Sequence, residues 1–268
     1  MFLAPTFSFL VAIFWLSRFR KMDKYEKEPE RLIFLTFLAG MFATVPSVLL
    51  ESPLHSSLRS GTLPLKELFL SFLWVGMVEE FFKFLAVRLT VYRSKEFNEV
   101  MDGSIYMISA ALGFAATENV GYMLGFGFYV GFLRGIFSYL GHLSFSAILG
   151  YYMGKAKMEG RRGWLYIGFI LAVVLHTLYD TFFVLSTARD SVNFLLLGLG
   201  VWAFALVLTL ILMKRAQAIS PFRTAHILPK RLTRLCQACA KTVSSRAWIC
   251  HHCGEMLTLD EEDITLRA

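Results

Sequence analysis

Residues 68–89 read LFLSFLWVGMVEEFFKFLAVRL, an apolar run that carries Glu79, Glu80 and Lys83 well inside its length. At 1.5 Å rise per residue, roughly 20 residues cross a ~30 Å hydrocarbon core, so the run is long enough to span a bilayer. A charge inside a bilayer costs several kcal/mol, which makes the acidic pair and the lysine functional candidates at once. Six further apolar runs flank this one, at 2–17, 32–50, 105–124, 128–154, 164–185 and 194–213. The expected fold class is therefore an all-α integral membrane bundle of about seven transmembrane helices.

The composition agrees. The 268 residues are 56% hydrophobic with a mean hydropathy of +0.56, against about 45–50% apolar in soluble domains. The net charge of +7 does not call for nucleic acid, because the basic residues sit at the ends of apolar runs, where a membrane surface explains them. With the N-terminus outside, the cytoplasmic segments hold Arg18, Arg20, Lys21, Lys24, Lys27 and Arg31, then Arg88, Arg93 and Lys95, then Lys155, Lys157, Arg161 and Arg162. The opposite side holds Arg59, Lys66 and Arg189. This asymmetry predicts a multi-pass plasma-membrane protein with an external N-terminus and a cytoplasmic C-terminus. No basic stretch precedes the first run and no small-residue cleavage site follows it, so it reads as an uncleaved span. Residues 51–66, with Pro53 and Pro64, read as an external loop. Gly121 and Gly125, and separately Gly127, Gly131 and Gly135, recur at four-residue spacing and predict close helix approach there.

Three regions are expected: a membrane domain over 1–213, a basic juxtamembrane linker over 214–234, and a small module with its tail over 235–268. All four cysteines lie in the last, as Cys236-x2-Cys239 and Cys250-x2-Cys253. Two such knuckles present four thiolates tetrahedrally to one zinc ion, and a reducing cytoplasm argues against disulfides. Four thiolates close the coordination sphere, so this zinc ribbon is structural. The alternative ligand set replaces one cysteine with His251 or His252, which lie between the second pair.

Ionisable residues fall inside four spans: Glu79, Glu80 and Lys83; Glu118 and Asn119; Arg134 and His142; His176 and Asp180. Counted from the cytoplasmic edges, they reach depths of roughly 12–23 Å, consistent with one polar layer. Lys83 pairs with Glu79 or Glu80, and Asp180 lies one turn beyond His176, where it orients the imidazole or shares its role. Adjacent glutamates point about 100° apart on a helix, so the two differ in task. A carboxylate here takes a proton from water while imidazoles stabilise an oxyanion; alternatively glutamate and histidine hold a catalytic zinc ion. HExxH is absent, and Ser144 and Ser146 near His142 read as packing residues. A proton-coupled transporter and a non-catalytic receptor or immunity-type protein are the competing classes.

These residues resemble a known family. Glu79-Glu80-Phe81-Phe82-Lys83 is similar to the EExxK motif of PrsW intramembrane proteases, and Phe114-Ala115-Ala116-Thr117-Glu118-Asn119 to its FxxxEN motif. Arg134 with His142, and His176-Thr177-Leu178-Tyr179-Asp180, resemble the remaining two. Asp23-Lys24-Tyr25-Glu26-Lys27-Glu28-Pro29 resembles the family's first cytoplasmic loop. The resemblance runs from about Asp23 to Phe183. It implies site-1 cleavage of single-pass membrane proteins such as anti-sigma factors, and kinship with CAAX prenyl endopeptidases and bacteriocin-immunity-type proteins. It implies that Glu79 is the base, Glu80 its supporting partner, His142 and His176 the oxyanion stabilisers, and Asp180 an orienting group. Lys83, Glu118, Asn119 and Arg134 are supporting residues. The family is also described as metalloproteases, which leaves an active-site zinc ion open. The ribbon departs from the simplest family pattern.

Overall fold

The computed structural model describes residues 3–60, 63–223, 233–244, 247 and 249–257. Parts of the expected linker and tail, residues 224–232 and 258–268, lie outside the described residues. Each apolar run folds as one helix: α1 (Leu3–Arg20), α2 (Glu30–Ser60), α3 (Leu65–Thr90), α4 (Val100–Phe126), α5 (Phe128–Glu159), α6 (Gly163–Ala188) and α7 (Val192–Ala218). Four of them, α2, α4, α6 and α7, are long and apolar enough to cross a membrane by length and composition. The other three carry charge within their length: Arg18 and Arg20 in α1, the Glu79–Glu80–Lys83 cluster in α3, and Arg134 in α5.

α4 is the central helix. Nearly all of its inner length is buried, because α1, α2, α3, α5 and α7 pack around it. Side-chain hydroxyls tie the layers together. Ser109 Oγ donates to the Ile33 carbonyl at 2.7 Å and Tyr139 OH to the Ser8 carbonyl at 2.8 Å, satisfying polar groups that lipid cannot.

The glycine expectation holds in part. A Cβ on Gly131 would run into the Met123 side chain of α4, and one on Gly135 would touch Phe7 and Asn119, whereas one on Gly121, Gly125 or Gly127 would meet nothing within 4 Å. The last three lie where α4 and α5 part around the turn at Gly127, whose φ is +94°. Backbone meets backbone at the other end of the same pair, where a Cβ on Gly103 would run into the Gly150 carbonyl, and one on Gly150 into the Gly103 carbonyl. Small residues matter where the backbones meet, and their spacing alone does not say where that is.

The expected loop over residues 51–66 is also corrected, because α2 continues to Ser60. Pro53 cannot donate to the Leu49 carbonyl four residues back, but Ser52 Oγ takes that carbonyl at 2.9 Å. The Trp74 indole of α3 bonds the Leu50 carbonyl at 3.2 Å. With these partners supplied, the helix runs through the proline and buries Glu51.

The C-terminal module has two short antiparallel strands, β1 (Thr233–Leu235) and β2 (Thr242–Ser244), with Arg234 opposite Val243. Both cysteine knuckles have the same turn. Cys236 N donates to the Lys241 carbonyl and Ala240 N to the Cys236 carbonyl; Cys250 N donates to the Glu255 carbonyl and Gly254 N to the Cys250 carbonyl. The module docks on the α1–α2 connection, where Glu26 accepts from both Lys241 and His252, and His252 stacks on Phe222.

Candidate active site

Helical spacing places Glu79, Glu80 and Lys83 within one turn of α3, and α4, α5 and α6 bring Glu118, His142 and His176 to meet them. Lys83 is fully buried, and its ammonium serves three acceptors: Glu79 Oε2 at 3.0 Å, Glu80 Oε1 at 3.0 Å and His142 Nδ1 at 2.9 Å. It also sits 4.3 Å above the Phe114 ring. An ammonium has three donors and no acceptor, so all three are engaged and His142 Nδ1 accepts. His142 Nε2 then carries the proton and donates to Glu118 Oε2 at 2.9 Å, while Arg134 donates to Glu118 Oε1 at 2.6 Å.

The two glutamates occupy different environments, as their angular separation on the helix requires. Glu80 is saturated by Lys83 and by His176 Nδ1 (3.1 Å) on one oxygen, and by the Ser146 hydroxyl (2.8 Å) on the other. Among the described residues, Glu79 accepts a hydrogen bond from Lys83 alone. Its Oε2 lies 3.6 Å from His142 Nδ1 and 3.7 Å from His176 Nε2. Asp180 faces the same His176 Nε2 at 3.4 Å. Phe145 stacks on the His176 ring, and the two imidazoles meet edge to face at 5.1 Å.

Exposure shows the way in. Side-chain exposure is 0% at Lys83 and Glu80 and 6% at Glu79, then rises to 17% at Glu118, 22% at Asp180 and 28% at Arg134. The cluster therefore opens toward the end of the bundle that holds the α2–α3, α4–α5 and α6–α7 connections, away from the cysteine module.

Of the residues picked from sequence, Glu79, Glu80, Lys83, Glu118, Arg134, His142, His176 and Asp180 form one connected group. Asn119 does not join it: it is buried against Gly135, and its amide makes no hydrogen bond with the group. Ser146, read as a packing residue, bonds Glu80, and Phe114 underlies Lys83. The signal for Ser146 was spacing, one helical turn beyond His142, and Phe114 is itself the first residue of the FxxxEN motif.

Two sets of side chains among the described residues bring metal-ligating atoms together. The four cysteine Sγ atoms lie within 4.8 Å of one another, with Cys236–Cys253 and Cys239–Cys250 at 3.6 Å. Tetrahedral thiolates on zinc at about 2.3 Å stand about 3.8 Å apart, so this set fits. His252 is turned to Glu26 and does not belong to it. Ligand atoms of Glu79, His142 and His176 also gather within 4.8 Å. There the fit fails, because the Lys83 ammonium already bonds Glu79 Oε2 and His142 Nδ1, and the other nitrogen of His142 bonds Glu118.

Residues 28–212 match the family profile described as PrsW family intramembrane metalloprotease. The chain belongs to the PrsW family. It is 35% identical to Protease PrsW of Geobacillus kaustophilus over 71% of this chain and 84% of that protein. It is 30% identical to Protease PrsW of Bacillus subtilis, over 68% and 82%, and 33% identical to that of Clostridioides difficile, over 67% and 77%. No solved structure shows significant similarity to the chain. PrsW membership and the apolar helices make this a multi-pass membrane protein. The PrsW match spans all four helices of the cluster and stops short of the cysteine module.

Proposed function

We propose that the chain is an intramembrane endopeptidase that cuts single-pass membrane proteins, anti-sigma factors among them, with water activated by Glu79. The observation that carries this reading is the asymmetry of the acidic pair. Glu80 is held on both oxygens, whereas Glu79 faces two imidazoles with one hydrogen bond of its own. In the reaction Glu79 takes a proton from water as the water oxygen adds to the scissile carbonyl. The geometry favours His176 Nε2 as the oxyanion donor, the ring carrying both protons between Glu80 at Nδ1 and Asp180 at Nε2, because His142 Nε2 is committed to Glu118. Glu80, Ser146 and Lys83 position this pair, and Asp180 orients His176.

The reading includes seven membrane spans, an external N-terminus and a cytoplasmic C-terminus, which places the opening of the cluster on the outer side. It also includes a structural zinc ion on Cys236, Cys239, Cys250 and Cys253, which folds a segment too small to build its own core.

Comparing membrane-protein fragments by mass spectrometry in cells expressing wild type or Glu79→Gln at matched levels tests the reading. Fragments present with wild type alone support it and name a substrate. Identical fragment sets under several envelope stresses overturn it in favour of a receptor or transporter on the same scaffold.

A metal-dependent reading has one observation in its favour, the convergence of Glu79, His142 and His176. It requires Lys83 to leave His142. Metal analysis of a variant with all four cysteines changed to serine decides: one bound transition-metal ion per active chain supports metal chemistry, and an active metal-free chain excludes it.

A further inference from the structure

Glu51 is a buried ionisable group beside the cluster that the reaction above leaves unused. It lies on the part of α2 that replaces the expected loop, with 7% of its surface exposed, and its Oε1 is buried without a hydrogen-bond partner. Among its charged neighbours it interacts most strongly with Glu79, then with Glu118, His176 and Lys83, so α3, α4 and α6 all face it with titratable groups. The Trp74–Leu50 hydrogen bond clamps this stretch of α2 to α3 five residues before Glu79, about 7.5 Å along the helix. Lys83 cannot relieve Glu51, since its three donors are taken. An apolar or amide side chain would fill the position without placing an unpaired carboxyl oxygen away from water.

We propose that Glu51 is the proton-relay partner of Glu79, an inference that rests on the reading of Glu79 as base. Water loses one proton to Glu79 while its oxygen bonds to the scissile carbon. Glu51, buried beside other carboxylates with no cation of its own among the described residues, starts as the neutral carboxyl. When the C–N bond breaks, its electron pair stays on nitrogen, which takes the proton of Glu51 and departs as an amine, and the proton held by Glu79 then passes to Glu51. The other product is the carboxylic acid, and both glutamates return to their starting state.

The test uses the full-length protein in lipid nanodiscs, with a single-pass probe carrying the transmembrane segment of a membrane protein cut in the fragment comparison. Glu51→Gln is expected to lower kcat by roughly 10- to 100-fold, with KM changed less than about twofold, and to remove one ionisation from the pH profile of kcat. Glu51→Asp restores part of the rate and the missing ionisation. Wild-type kcat and pH profile in Glu51→Gln, with Glu79→Gln inactive, overturn the relay and leave the base in place. Cleavage by Glu79→Gln instead removes the base. If Glu51→Gln fails to fold, Glu51→Asp decides by the same profile: a lowered kcat with a shifted limb supports the relay, and unchanged values overturn it.

Discussion

Lys83 Nζ lies 2.9 Å from His142 Nδ1, and that contact sets the proton positions of the whole cluster. The lysine holds the ring as acceptor on one side, so the ring donates to Glu118 on the other. One cation thus balances Glu79 and Glu80 and orients an imidazole on another helix.

Removing that cation leaves two buried carboxylates unbalanced. Lys83→Met is expected to destabilise the protein by roughly 3–5 kcal/mol, the usual result of breaking a buried ion pair from one side. Lys83→Arg does not restore it, because a planar fork cannot serve three acceptors arranged around a point charge. Thermal unfolding in detergent measures both.

The two glutamates are expected to separate in experiment. Glu79→Gln abolishes cleavage with thermal stability near wild type. Glu80→Gln and Ser146→Ala lower stability, the serine change by about 1–3 kcal/mol, since a charged acceptor loses one of its donors. Equal stability loss from both glutamate changes would contradict the division of labour.

Stability is expected to fall as pH rises. At the end of the bundle that carries the α1–α2 connection, burial pushes Asp23 up to about 8, Glu28 up to about 7 and Glu99 up to about 8, and neighbouring carboxylates add to the effect at each. Below the ordinary carboxylate value of about 4, folded and unfolded chains are both protonated and stability is fully present. Between about pH 4 and 8 the fold holds protons that the unfolded chain has released, so stability is lost progressively through that window. Melting temperatures at pH 6 and pH 9 check the sign, and Asp23→Asn flattens the slope.

Closest packing is expected to be least tolerant. Gly103→Leu drives a side chain into the Gly150 carbonyl and is expected to prevent folding, whereas Gly121→Leu, with open space around it, leaves folding intact. Size-exclusion profiles of the two variants in detergent compare them directly.

The cysteine module is expected to bind one zinc ion per chain and to lose it on Cys250→Ser. Glu26→Ala removes the acceptor shared by Lys241 and His252. It is expected to speed proteolysis of the C-terminal module while the zinc content stays unchanged.

Sequence by itself determined the helical elements, because an apolar run of spanning length has one way to satisfy its backbone in lipid, and each such run folds as one helix. It determined the metal-binding geometry of the cysteine pairs, because the knuckle turns are local. It also marked ionisable residues that gather in one group, Glu79, Glu80, Lys83, Glu118, Arg134, His142, His176 and Asp180, since charge is rare inside apolar runs, but it missed the buried Glu51. Tertiary structure decided the rest. Spacing on α3 offers Lys83 both glutamates but says nothing of His142, which is 59 residues away on α5. Glycine spacing found the tight packing of Gly131 on Met123 but not the backbone contact of Gly103 with Gly150, and Pro53 beside Glu51 read as a loop because the Ser52 and Trp74 bonds that sustain α2 depend on three-dimensional placement. Helical periodicity sets position along and around one helix; the rotation and axial shift of one helix against the next come from packing. That packing leaves Glu80 fully bonded, turns Glu79 toward the two imidazoles and buries Glu51 beside it.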